Sequence, residues 1–342
     1  MSKPRSVLAS IDPQMVIEGA DVKLRRSISP RVSNLYDPFL LFDHFAFNDP
    51  VEGPIQGFPT HPHRGIETVT YMLEGNVRHR DSLGNAGIIG PGDVQWMTSG
   101  RGILHEEMPR RGDTGVIYGF QLWVNLPAAL KMSQPRYQEV SAAQIPAVEA
   151  EGAKVRVVAG DVHGLRGPVT EIAADPVYMD VQLQPGASFT QPVPAGHTAL
   201  VYLFEGSGTL GGDAASALRM LVLTDGDEIT AQASADGMRF MLMAGAPFHE
   251  PIMPYGPFVM NTREEIQQAL VDLRNGTFVE AGSALVNESR VILEGKAEQP
   301  QPGPRICQER PGHCRQHQDE RQTIPDSRPP MLLHRVGGFS CL

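Results

Sequence analysis

His61-Pro62-His63 is the segment from which chemistry is most readily built. Residues two apart on an extended strand face the same side, so both imidazoles can point into one cavity and share one ion. A second pair follows at His105-Glu106-Glu107, where His105 and Glu107 share a face and Glu106 turns the other way. Three imidazoles and one carboxylate form a donor set of intermediate softness. It suits iron, copper, nickel, manganese or zinc, and suits calcium poorly because calcium takes oxygen ligands alone. An open position on such an ion admits dioxygen beside an organic substrate, and a loosely held carboxylate can double as a base. Spacing leaves the carboxylate open: Glu67 keeps the parity of His61 and His63, so Glu67 and Glu107 stand level as the fourth ligand.

The elements that must position these residues read as short strands. Glu67–Leu73, Val94–Met97 and Gly119–Val124 are apolar or β-branched runs separated by Glu74-Gly75, Gly84-Asn85 and Pro91-Gly92-Asp93. Such punctuation marks tight turns between paired strands. With 35 Gly, 29 Pro and 6% aromatics in 342 residues, many short strands are favoured over long helices. The length predicts two domains. Residues 1–130 form the first, metal-binding one, 131–155 a linker richer in Pro, Ala, Gln and Glu, and 156–298 the second.

The second block repeats the first in outline. Thr190-Gln191-Pro192-Val193 stands where the first block has Thr60-His61-Pro62-His63, and Leu200–Gly206 echoes Val69–Gly75. With Gln191 and Val193 replacing the two histidines, the second unit is expected to hold no metal, and His197 and His249 sit at no corresponding position. A helix is predicted over 262–275, with Thr262 as N-cap, Glu265 three residues on, Ile266, Ala269, Leu270 and Leu273 at helical spacing, and Gly276 just beyond. The tail, 299–342, turns to Gln, Arg, Pro and His without apolar periodicity and is expected to be disordered. It carries all three cysteines, and its Cys307, His313, Cys314 and His317 lack the paired spacing of a structural zinc site.

A net charge of −10 disfavours direct nucleic-acid binding, which needs a cationic face. No apolar run reaches the roughly 18 residues that span a bilayer, and Met1–Ser10 has no apolar core of a leader, so the cytoplasm is the default address. Trp96 and Trp123 read as core residues, Met72, Met97 and Met108 as gap-fillers around the barrel, and His44 and His79 have no spaced partner.

The stretch His61–Tyr71, with Pro91–Pro109, closely resembles the pirin family of bicupins. The resemblance extends to Asp37–Asp43, Gln121–Leu126 and Gly256–Thr262, covering roughly residues 15–280. It implies an all-β chain of two antiparallel jelly-roll barrels, with a short C-terminal helix near their interface. It also implies the ligand set His61, His63, His105 and Glu107 around one divalent ion, with iron(II) preferred, and moves Glu67 to a supporting role behind the imidazoles. Family members are associated with quercetin 2,3-dioxygenase activity, in which dioxygen opens a flavonol and releases carbon monoxide. Here Glu107 becomes the acceptor of the flavonol 3-hydroxyl proton. The alternative is a metal-bearing regulatory monomer that binds a transcription factor or metabolic enzyme, nuclear if eukaryotic.

Overall fold

The computed structural model describes residues 2–48 and 55–279. The predicted tail, 299–342, lies outside the described residues, as does the end of the second block from 280. All named strand pairs are antiparallel, as expected of two cupin barrels. One wall of the first barrel is a seven-stranded sheet in the order Arg136–Val140, Val94–Thr98, Ile66–Glu74, Tyr118–Asn125, Phe39–Phe45, Val22–Ile28, Gln14–Glu18. The other wall orders Phe58–His63, Ile103–Arg110, Asn76–Asp81 and Ala86–Ile89. A nine-stranded sheet built around Thr198–Leu210 and Glu228–Gly245 forms the second barrel.

Alternation along the strands sorts residues between two faces. From Ile66–Glu74, Val69 and Tyr71 pack toward the second barrel, where they meet Tyr178, Leu200, Tyr202, Met241 and Met243 in one apolar layer. Met72, from the opposite face of the strand, packs inside the first barrel with Leu24, Phe45, Val77 and Ile89. Polar staples cross the layer: the Tyr71 hydroxyl donates to Asp180 at 2.8 Å, and Asp180 also receives a bidentate bond from Arg239. His44, unassigned by spacing, lies in this layer with its Nδ1 3.0 Å from the Tyr202 hydroxyl.

The helix runs Arg263–Asn275 with the full capping box at Thr262 and Glu265 and a left-handed Gly276 at its end. It packs against Leu104, Phe258 and Phe278, and its Asp272 accepts from Arg64 at 2.7 Å, directly after the His61–His63 strand.

Strand pairing departs from the expected boundaries in two places. Val7–Ile11 pairs with Arg219–Leu223 of the second barrel, not with the first, and buried Arg5 donates to the carbonyls of His197, Thr224 and Pro194. About half of the stretch expected to be a linker is strand: Arg136–Val140 closes the edge of the first barrel on Val94–Thr98, and Ala147–Ala150 begins the second sheet. Composition rich in Pro, Gln and Glu reflects the exposure of these edge strands, which tolerate such residues.

Candidate metal centre

Phe58–His63 and Ile103–Arg110 are antiparallel neighbours, and His105 lies opposite His61 in their register. Facing residues of such a pair share a side of the sheet. His61, His63 and His105 therefore converge inside the barrel, each offering a nitrogen within 4.8 Å of the others. All three are buried, His105 to 1% exposure. His63 stands edge-on to both His61 and His105, and the His61 and His105 rings are tilted, with centroids 4.4–5.0 Å apart.

His61 Nδ1 lies 2.9 Å from the Pro59 carbonyl. A carbonyl only accepts, so Nδ1 carries the proton and Nε2 presents its lone pair. His63 Nε2 lies 3.1 Å from that lone pair. Two imidazoles on one ion also need such a spacing, since each nitrogen then sits about 2.1 Å from the metal. Neither ring nitrogen of His105 has a hydrogen-bond partner. A buried polar atom left unpaired costs about 1–3 kcal/mol, which a metal bond offsets. Burial drives the His61 pKa down to about 4, and burial with mutual repulsion holds His63 and His105 far below the usual histidine range. The three rings are thus neutral, the form that ligates metals. Donor type, burial and unpartnered nitrogens all fit a transition-metal ion.

Glu107 does not join the histidines within that radius. The pairing shifts register between His105 and Glu107, so Glu107 stands opposite Phe58. Its carboxylate receives Gln121 Nε2 at 3.2 and 3.3 Å and the Thr70 hydroxyl at 3.3 Å. Burial pushes its pKa up against these two donors. Gln121 is itself oriented, because Trp123 Nε1 donates to its amide oxygen at 3.2 Å. Trp123, expected in the core, is buried and also stands edge-on to His63 at 5.2 Å. Glu107 lines one pocket with His61, His63, Gln121 and Trp123.

Glu67 is elsewhere. The alternation that aligned it with His61 and His63 is broken at Gly65, whose φ of +80° turns the chain from one sheet into the other. Its carboxylate faces the interdomain layer, accepting from Trp96 Nε1 at 3.1 Å and the Thr98 hydroxyl at 2.7 Å. The structure brings no support from Glu67 to the imidazoles. His79 bonds Gln95 and Glu139. Gln191 spends its amide on the Asp161 and Pro192 carbonyls, and Val193 packs in the apolar core of the second barrel.

Three charged residues of this pocket, Glu18, Arg26 and Asp43, carry no spacing signature in the sequence. Arg26 grips Asp43 through Nε at 2.8 Å and Nη2 at 2.7 Å, and holds Glu18 through Nη1 at 2.7 Å. They come from three strands whose register no local pattern specifies. The signal available was Gly19-Ala20-Asp21, a turn that folds Gln14–Glu18 onto Val22–Ile28.

Among known proteins, the Pirin family model matches residues 21–124 and the Pirin C-terminal cupin domain matches 178–279. A pirin-like protein of Caulobacter vibrioides is 46% identical over 277 residues, spanning 80% of this chain and 99% of its own. Human pirin is 43% identical over 283 residues, spanning 80% of this chain and 94% of its own. A solved quercetin 2,3-dioxygenase from Acinetobacter baumannii superimposes with a TM-score of 0.74 at 35% identity, covering 82% of this chain and 99% of that one. With both halves matched in order and these relatives covered almost end to end, the chain belongs to the pirin family.

Proposed function

We propose that this chain is a metal-dependent dioxygenase that opens a flavonol such as quercetin, with His61, His63 and His105 holding one divalent transition ion, iron(II) by preference, and Glu107 completing the set or serving as base. The supporting observation is the convergence of three buried, neutral imidazoles, two of which, His61 and His63, line one pocket with the Glu107 carboxylate. The resemblance to a quercetin 2,3-dioxygenase supports the choice of reaction. A bound redox ion supplies Lewis acidity and an electron path to dioxygen. The chain's own residues do the rest. Glu107 accepts the flavonol 3-hydroxyl proton, and Gln121 and Thr70 hold its oxygens in place for that transfer. Phe45, Phe58 and Trp123 line the pocket with apolar surface that keeps bulk water from the reacting centre. A cytoplasmic, monomeric protein is part of the same reading. No described helix is long and apolar enough to cross a membrane.

The test is metal analysis of anaerobically purified protein together with flavonol turnover. Wild type is expected to carry one ion and to release carbon monoxide, Glu107→Gln to keep the ion and lose turnover, and a His61→Ala, His63→Ala protein to lose the ion. Full metal content in the double variant rejects the site. Metal without turnover in wild type loaded with iron, copper or manganese rejects the enzyme and leaves a metal-bearing module that binds a protein partner.

A further inference from the structure

The Glu18, Arg26 and Asp43 cluster places two carboxylates against one guanidinium, so it carries a formal charge of −1 where it lines the pocket of His61, His63 and Glu107. Arg26 spends Nε and Nη2 on Asp43 and Nη1 on Glu18 Oε1. The second oxygen, Glu18 Oε2, is buried and has no hydrogen-bond partner, in a residue only 6% exposed. A charged acceptor removed from water and given no donor is costly, and charge-assisted bonds to it are strong. The carboxylate cannot swing away to find water, because Arg26 grips its other oxygen and the turn that follows it is fixed. Ala20 N donates to the Gly57 carbonyl at 2.8 Å, and a Cβ at Gly19 would lie 2.6 Å from the Phe58 ring. Glu18 is therefore anchored to the start of the very strand that bears His61 and His63.

The apolar rings of Phe45, Phe58 and Trp123 line the same pocket as Glu18. The geometry points to Glu18 as a specificity-determining residue, whose free carboxylate oxygen accepts a second hydroxyl of the substrate, other than the one that Glu107 deprotonates. The preferred ligand is then a polyhydroxylated flat aromatic, and the bare flavonol core binds more weakly. This rests on the dioxygenase reading of the same pocket.

The experiment measures anaerobic affinity of the metal-loaded full chain for quercetin and for 3-hydroxyflavone, which keeps the 3-hydroxyl but lacks the others, by quenching of tryptophan fluorescence. One charge-assisted hydrogen bond corresponds to roughly a tenfold or greater preference for quercetin in wild type. Glu18→Gln keeps an oxygen for Arg26 but offers the pocket an N–H donor, and it is expected to collapse that preference to about twofold or less. An unaltered preference in a folded Glu18→Gln protein overturns the role of Glu18 while leaving the dioxygenase reading intact. Wild type that binds both ligands equally overturns it without any variant. Wild type that binds neither flavonol overturns the dioxygenase reading, and this inference with it.

Discussion

Glu67→Gln is expected to make the protein more stable, and by an amount that depends on pH. Glu67 is 2% exposed, and its two donors, Trp96 Nε1 and the Thr98 hydroxyl, are both neutral. Burial raises its pKa to about 7 from 4.5. The folded state thus holds its proton more tightly than the unfolded chain, so this group favours folding fully below pH 4.5. That contribution is lost as pH climbs from 4.5 through about 7. At 1.36 kcal/mol per pKa unit, the full loss is about 3 kcal/mol, complete by roughly pH 8. Glutamine never ionises and satisfies the same partners, its oxygen accepting from Trp96 and its amide donating to the Thr98 oxygen, which as a hydroxyl serves either role. The variant should therefore exceed wild type by about 1 kcal/mol at pH 5 and about 3 kcal/mol at pH 8. Urea denaturation of both chelator-treated proteins across this range, followed by circular dichroism, measures the difference. Taking the difference cancels the histidine titrations common to both. A gap that stays flat with pH, or a Glu67→Gln protein less stable than wild type at pH 8, refutes the account.

Other perturbations probe the remaining parts. A divalent ion supplied at one hundred times its dissociation constant should raise unfolding free energy by about 2.7 kcal/mol, read as a melting shift, and His105→Ala should abolish that shift. Gly65→Ala puts a Cβ 2.3 Å from the Val259 carbonyl at φ +80°, and denaturation should show a loss of at least about 3 kcal/mol; a near-neutral result would show that the turn is not tightly held. Arg5→Met strands three carbonyl acceptors and should cost about 2 kcal/mol or more, measured by the same method.

The local signals in the chain proved dependable where physics acts locally. His-x-His on a strand must share a face, and the capping box at Thr262 with Gly276 bounded the helix correctly because capping depends on residues three to five apart. Glu67 shows the limit of counting: parity holds within a strand, and a single left-handed glycine between two strands resets it. Glu107 shows a second limit, since the pairing with Phe58–His63 shifts register between His105 and Glu107, an irregularity that counting along the strand does not reveal. Gln121, Glu18, Arg26 and Asp43 reach the pocket through pairings between distant strands, which hydrophobic pattern alone does not encode. The interdomain layer was equally silent in the sequence, because a strand buried on both faces reads the same whichever partner it meets.

The placement of Val7–Ile11 in the second barrel also sets a timetable for synthesis. Leu223, the partner of Val7, is made 216 residues after it. At about 5–20 residues per second, the segment waits roughly 10–40 s with its backbone donors unsatisfied by a sheet. The first barrel can close in that interval without it, whereas the second cannot finish its edge until Val7–Ile11 is brought back to Arg219–Leu223. A nascent chain stalled before residue 219 would therefore present Val7–Ile11, with its exposed Leu8, as an open template for any passing strand.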